Sequence, residues 1–290
     1  MNAKPQSQRT TVALCLILFL YAVARILEIT PNRLPQTAIV ALDVLSALAF
    51  ALVHGARQYS LRAILTFTAI CIVVSNVIEN VGVLTGFPFG RYYFAGLMGP
   101  KIFNVPILLG LAYIGMAYVS FVLASLIAGN PKSHLTGARL VTVPLIASFI
   151  MVAWDLAQDP IWATVLRGWV WLDGGPWFGV PITNYQGWFL TVFIICLLFA
   201  FCLSKRTHAP TAATNAGLRA AILFYALCAA GNILQRIPKP NPAVVADPTG
   251  KLWRVADITA ASALVSIFLM GSFAVFAWIR LVKTSKPATD

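Results

Sequence analysis

Charge is what this sequence has least of. Asp, Glu, Lys and Arg together make up 10% of its 290 residues, where soluble domains carry about 25%. That shortage excludes an ordinary water-soluble domain. Acidic groups are the scarcest, nine against 21 Lys and Arg, for a net charge of +12. The basic residues are scattered through the hydrophilic gaps and form no basic face. A nucleic-acid partner is therefore excluded, and basic flanks to membrane helices are the simpler reading. His54, His134 and His208 are the three histidines and form no ligand cluster, so neither a bound metal nor a di-iron His-box enzyme is expected. Cys15, Cys71, Cys196, Cys202 and Cys228 all lie inside apolar runs without metal spacing; they read as small buried hydrophobes. The sequence has no GxGxxG, no Walker A loop and no pair of DDxxD-type motifs. Nucleotide-dependent redox chemistry and diphosphate–Mg²⁺ prenyl chemistry are thus unsupported. What remains is cofactor-free acid/base chemistry, or binding and transport.

Hydrophobic residues are abundant instead, at 59%, with mean hydropathy +0.82. Apolar runs long enough to span a bilayer, about 17–25 residues, fall at about 11–29, 36–54, 62–82, 104–128, 139–158, 187–204, 216–235 and 258–282. The expected fold is all-α: a polytopic integral membrane bundle of about eight transmembrane helices, forming a single domain over 1–290. Irregular, motif-bearing loops sit on one face, and 1–9 and 284–290 read as disordered tails. Arg25 and Glu28 close the first run where a signal peptide would have a cleavage site, so this helix is read as retained. Lys and Arg fall slightly more often on the side of the termini, which favours cytoplasmic termini in a bacterial inner membrane. With eight spans, the segments after the first, third, fifth and seventh share one face. They hold Glu28 and the stretches 79–103, 155–186 and 231–257. The opposite loops are short and plain, so the unusual residues converge on one face, as they do where bundles build sites.

Asn76, Glu79 and Asn80 share a helix face by their spacing. A carboxylate at the inner end of a membrane helix is either functional or paired, here with Arg91 or another base. Asp155 and Asp159, four apart, also share a face. Two carboxylates held close repel, which favours a protonated partner, the form that general-acid chemistry uses. Asp159-Pro160 equally reads as a helix stop. Trp169 and Trp171 alternate as on a short strand, and the run to Trp188 is rich in Gly-x-Pro turns with Asn184 beside Gly187-Trp188. Half of these aromatics are explained by an interfacial belt. The rest suit a pocket for an extended apolar ligand or a cation. Asn232, Gln235 and Arg236 read as ordinary helix-end polarity.

Glu79-x-x-Gly82-x-x-x-Gly86-x-Pro88-Phe89-Gly90-x-Tyr92-Tyr93 followed by Val105-Pro106 resembles the first signature of the membrane carotenoid biosynthesis proteins. These include carotenoid 1′,2′-hydratases and bisanhydrobacterioruberin hydratases. Asp159-Pro160, Trp169-x-Trp171, Gly179-Val180-Pro181 and Asn184-x-x-Gly187-Trp188 resemble the second. The resemblance is strongest over about 76–190. It implies cofactor-independent hydration of a terminal C1′,2′ double bond of a linear or monocyclic carotenoid. The alkene is protonated at C2′, and water captures the tertiary cation at C1′. Under that resemblance Asp155 is the expected acid, with Glu79 its rival. Asp159, Asn80 and Asn184 would place water, and Tyr92, Tyr93, Trp154, Trp169, Trp171 and Trp188 would face cation or polyene. The expected partners are a carotenoid within the bilayer, membrane lipid and other carotenoid biosynthesis enzymes. End-group cyclisation or isomerisation, and a non-catalytic carrier or scaffold, are the alternatives.

Overall fold

A computed structural model describes residues 5–30, 33–129, 135–205, 214–236 and 242–285. The chain forms α1 (Pro5–Leu27), α2 (Gln36–Gln58), α3 (Leu61–Thr85), α4 (Ile107–Ile127), α5 (Arg139–Asp159), α6 (Ile182–Ser204), α7 (Asn215–Leu234), α8 (Val255–Val265) and α9 (Gly271–Ser285). A π-helical turn, Pro160–Val165, extends α5, and another, Ser266–Met270, joins α8 to α9. Among the described residues, eight helical segments are long and apolar enough to cross a membrane, the last running from Val255 to Thr284. The protein is a polytopic integral membrane helix bundle. Large side chains such as Phe19, Val73, Leu84 and Phe268 face outward, as a lipid-facing surface allows.

α4 is the axis of the bundle. It is apolar all round, and every residue from Tyr113 to Leu126 is buried, the pattern of a helix enclosed on all sides. α2, α3, α5, α6, α7 and α9 all pack on it. At Gly115 a Cβ would stand 2.6 Å from the Ala47 side chain, so glycine is what lets α2 and α4 approach this closely. At the plain end of the bundle the buried His54 joins α2 to α4 and α7 through Tyr118 (2.6 Å) and the Gly217 carbonyl (2.9 Å).

Among the described residues, the motif-bearing face carries three two-stranded antiparallel sheets. β1 (Tyr92–Phe94) pairs with β4 (Trp169–Trp171), β2 (Lys101–Ile102) with β3 (Val105–Pro106), and β5 (Val244–Ala246) with β6 (Leu252–Arg254). The β1–β4 register sets Tyr92 opposite Trp171 and Phe94 opposite Trp169. Side chains alternate across a strand. Tyr92, Phe94 and Trp171 therefore turn inward and are buried, while Tyr93 on the outer face is 49% exposed.

Several sequence expectations are corrected. α1 begins at Pro5, inside the segment read as a disordered tail, and α9 runs through Ser285; the rest of that expectation, 1–4 and 286–290, lies outside the described residues, as do His134 and His208. α6 begins at Ile182 instead of 187, which turns Asn184 from a loop residue into a first-turn helix residue. Pro160 does not stop the fifth span: the widened turn absorbs it and the helix continues to Val165. Cys15 and Cys202 are exposed, not buried. Arg91 pairs with Asp173, not with Glu79.

Candidate functional site

α3 delivers Glu79 to the bundle interior, where it is 3% exposed. Tyr113 of α4 donates to its Oε1 at 2.7 Å, and Tyr92 of β1 donates to its Oε2 at 2.5 Å. Burial and the neighbouring Glu79 push the Tyr92 hydroxyl well above its ordinary pKa, so it serves as a donor. The motif glycines make this geometry possible. A Cβ at Gly82 would stand 2.6 Å from the Phe89 ring, and one at Gly187 2.3 Å from it. Phe89 is thus wedged between α3 and α6. Gly86 ends α3 in the left-handed region, at φ 82°, which glycine adopts without cost.

Asp155 and Asp159 lie one turn apart on α5, at 2% and 0% exposure. One amide bridges them: Asn184 Nδ2 donates to Asp155 Oδ2 at 3.0 Å and to Asp159 Oδ2 at 2.6 Å. Trp169 Nε1 donates to the other Asp159 oxygen at 2.5 Å. The donors are therefore unequally shared. Glu79 and Asp159 each receive a donor on both oxygens, the pattern of an ionised carboxylate. Among the described residues Asp155 receives one, at Oδ2.

A cleft with about 60 Å³ of free space opens beside this cluster, room for a few water molecules. Its walls are apolar and aromatic, with Trp154, Trp162, Trp169, Trp188, Leu109 and Met116 among them. Asp155 lines the cleft; Glu79 and Asp159 do not. On the other side of Trp169 and Trp188 a chamber of about 10 Å³ is walled by Glu79, Tyr92, Asn184 and Trp171. Tyr113 stacks on Trp188 with ring centroids 4.2 Å apart, and Trp162 stacks on Trp169 at 5.9 Å.

Of the residues singled out by sequence, Glu79, Asp155, Asp159, Tyr92, Trp169, Trp171, Asn184 and Trp188 come together here, with Trp154 on the cleft wall. Asn80 does not join them. It bonds the Asn76 carbonyl (2.8 Å) and takes the Asn104 backbone N–H (3.0 Å), anchoring the β2–β3 turn. Tyr93 faces away from the carboxyl groups. Tyr113 was not foreseen; a single tyrosine in an apolar span gives no signal.

A second polar cluster at the far end of the cleft also went unforeseen. Arg25, 4% exposed, bonds Glu28 (2.8 Å) and Asn232 (2.7 Å) and lies 3.7 Å from Asp43. Gln158 reaches the same Asn232 oxygen at 2.7 Å, and Asn232 Nδ2 donates to Ser266 at 3.0 Å. Asn232 is thus no ordinary helix end: it ties α1, α5, α7 and the last span together. The legible signs were Arg25 and Asp43, each a charged residue within an apolar run. Replacing Arg25 by Leu leaves Glu28 and Asp43 without their cation, and unpaired buried charge costs about 3–5 kcal/mol. The thermal midpoint of the purified R25L protein should fall well below wild type; an unchanged midpoint would contradict this role. Among the described residues no group of His, Cys, Asp and Glu could hold a metal ion.

The fold and site define a class: polytopic membrane proteins with a cluster of buried carboxyl groups beside an aromatic cleft. The chain belongs to the carotenoid biosynthesis protein family, whose sequence model matches residues 38–247. It is similar to a bisanhydrobacterioruberin hydratase of Haloarcula japonica, 33% identical over 125 residues. That match covers 43% of this chain and 40% of the relative, so the chain spans less than half the length of the curated protein it matches. No solved structure matches.

Proposed function

We propose that this protein hydrates a terminal C1′,2′ double bond of a linear or monocyclic carotenoid, with Asp155 as the acid. The observation that carries the reading is the place of Asp155. It is the member of the carboxyl cluster that lines the cleft, and the one with an oxygen left to carry a proton. The carotenoid end enters the cleft from the bilayer as the wall side chains give way. Asp155 transfers its proton to C2′ of the trisubstituted alkene, the π pair forms the new C–H bond, and a tertiary cation is left at C1′. The faces of Trp154, Trp162, Trp169 and Trp188 stabilise that cation by attraction to their π-systems. Water then forms the C1′–O bond and loses a proton to a carboxylate. One proton is given and one taken, so the net reaction adds one water, and no redox step is involved.

The test is a product assay. Expression in a bacterium that accumulates lycopene or γ-carotene, followed by mass analysis of the pigments, should show a gain of about 18 Da, the mass of water, per reacted end. A changed absorption spectrum at unchanged mass would instead indicate cyclisation or isomerisation. Unchanged pigments in cells carrying well-expressed protein would count against hydration of these substrates.

A further inference from the structure

Asp159 is fully buried yet has no basic partner. The ion pairs among the described residues join Arg25 to Glu28 and Asp43, Arg91 to Asp173, and Arg254 to Asp257. Donors hold Asp159 instead. Asn184 Nδ2 reaches one oxygen at 2.6 Å, Trp169 Nε1 the other at 2.5 Å, and the Trp171 indole N–H is directed at the same carboxyl. A buried anion without a countercharge is costly, so a site that keeps one is arranged to meet a positive charge. Asp159 itself lines neither the cleft nor the chamber. Its link to both is Trp169, which borders the two spaces. The N–H edge of this indole is turned to the carboxylate, and the ring separates cleft from chamber. Among the described residues it is the one cleft-lining indole whose N–H is bonded to a carboxylate; Trp154, Trp162 and Trp188 make no such bond. Glu79 also lacks a basic partner, but its donors are the two tyrosines, and neither lines the cleft.

We propose that Asp159 is the built-in countercharge of the C1′ cation and acts on it through the Trp169 ring; the inference rests on the hydration reading above. A carboxylate that accepts an indole N–H polarises the ring, which deepens the negative face that attracts a cation. The anion is fixed before the reaction begins, so nothing has to reorganise as the positive charge forms. Asp159 touches neither the alkene nor the water, and is a positioning residue. The two aspartates on α5 then divide the work. Asp155 keeps an oxygen free to carry a proton into the cleft, while Asp159 is clamped as an anion behind the wall. The positive charge develops against Trp169, which places C1′ on that side of the cleft.

The test replaces Trp169 by tryptophans of increasing fluorine content in the full-length protein, which is given lycopene in liposomes. Fluorine draws density from the ring face, keeps the shape of the ring and makes the N–H a stronger donor. A ring that only held Asp159 in place would therefore lose nothing. The expected result is a kcat for hydration that falls with each added fluorine, by about tenfold or more over the series, at unchanged KM and thermal midpoint. The same series at Trp162 should give a shallower fall; an equal one would overturn the assignment to Trp169. A second measurement tests the link to the carboxylate. Asp159→Asn should lower kcat about tenfold or more, and benzothienylalanine at position 169, which keeps the ring shape and deletes the N–H, should do the same. Together they should lower it little further than either alone. Independent, multiplying losses would overturn the proposal, because Asp159 would then not act through this ring. If Asp159→Asn fails to fold, the fluorine series decides. A flat series in a protein that hydrates lycopene removes this inference and leaves the hydratase standing. A wild type that forms no hydrated lycopene removes the hydratase reading itself, and this inference with it.

Discussion

Asp155→Asn should reduce hydration by about 10²- to 10⁴-fold, the range general-acid catalysis supplies, while leaving the fold in place. The substitution exchanges a carboxyl for an amide of the same shape. Asn184 Nδ2, now 3.0 Å from Asp155 Oδ2, keeps an oxygen to donate to, and the cleft wall keeps its volume. What is lost is a group acidic enough to protonate an alkene. Product formation in the lycopene background, together with elution and melting of the purified variant, separates chemistry from folding. The matched control is Asp173→Asn. Asp173 is exposed and hydrogen-bonded to Arg91, which holds its carboxyl below the usual range, and it touches neither cavity. Its loss should leave hydration near wild type. Full turnover in Asp155→Asn would remove the acid role from Asp155 and pass it to Glu79.

Gly187→Val should be the most damaging single change to the architecture of the site. The new Cβ would stand 2.3 Å from the Phe89 ring. That ring is 1% exposed and backed by Gly82 on its other side, so it has nowhere to go. Overpacking of this kind costs about 1–3 kcal/mol and occasionally more. Here the strain reaches Tyr92, whose ring centroid lies 6.0 Å from that of Phe89, and through it Glu79. The expected result is a lower thermal midpoint together with loss of product. A Phe89→Ala change should relieve part of the damage, so the double variant should be more stable than the sum of the single changes predicts. Strict additivity would show that the wedge is not the cause.

The spans were legible because bilayer length and apolar composition are local properties, read off one window at a time. The same is true of the shared face of Asp155 and Asp159. What could not be read depends on distance in sequence. Arg25 stands out in its apolar run, but Asn232, 207 positions away, does not look unusual alone; only packing shows that they meet. Tyr113 resembles any tyrosine in an apolar run until α3 brings Glu79 against it. Asn80 misled for the opposite reason. Its spacing of four from Asn76 is right for a shared face, but Asn80 is adjacent to Glu79, and adjacent residues on a helix point about 100° apart; its amide meets the β2–β3 turn instead. At Pro160 the local rule was outweighed by the helix packing around it, and a widened turn kept the span intact.

The pairing of Tyr92 with Trp171 and of Phe94 with Trp169 has a consequence for how these loops can vary. Because strand side chains alternate, a slip of one position would exchange inner for outer face. Tyr93 would replace Tyr92 above Glu79, and Val170 would replace Trp171. Conservative replacements along β1 and β4 act on one contact at a time. Adding or deleting a single residue between Phe89 and Phe94, or between Trp162 and Trp171, would reverse the whole set at once. These two segments should therefore keep their length far more strictly than their composition, and libraries that vary them should be built by substitution alone.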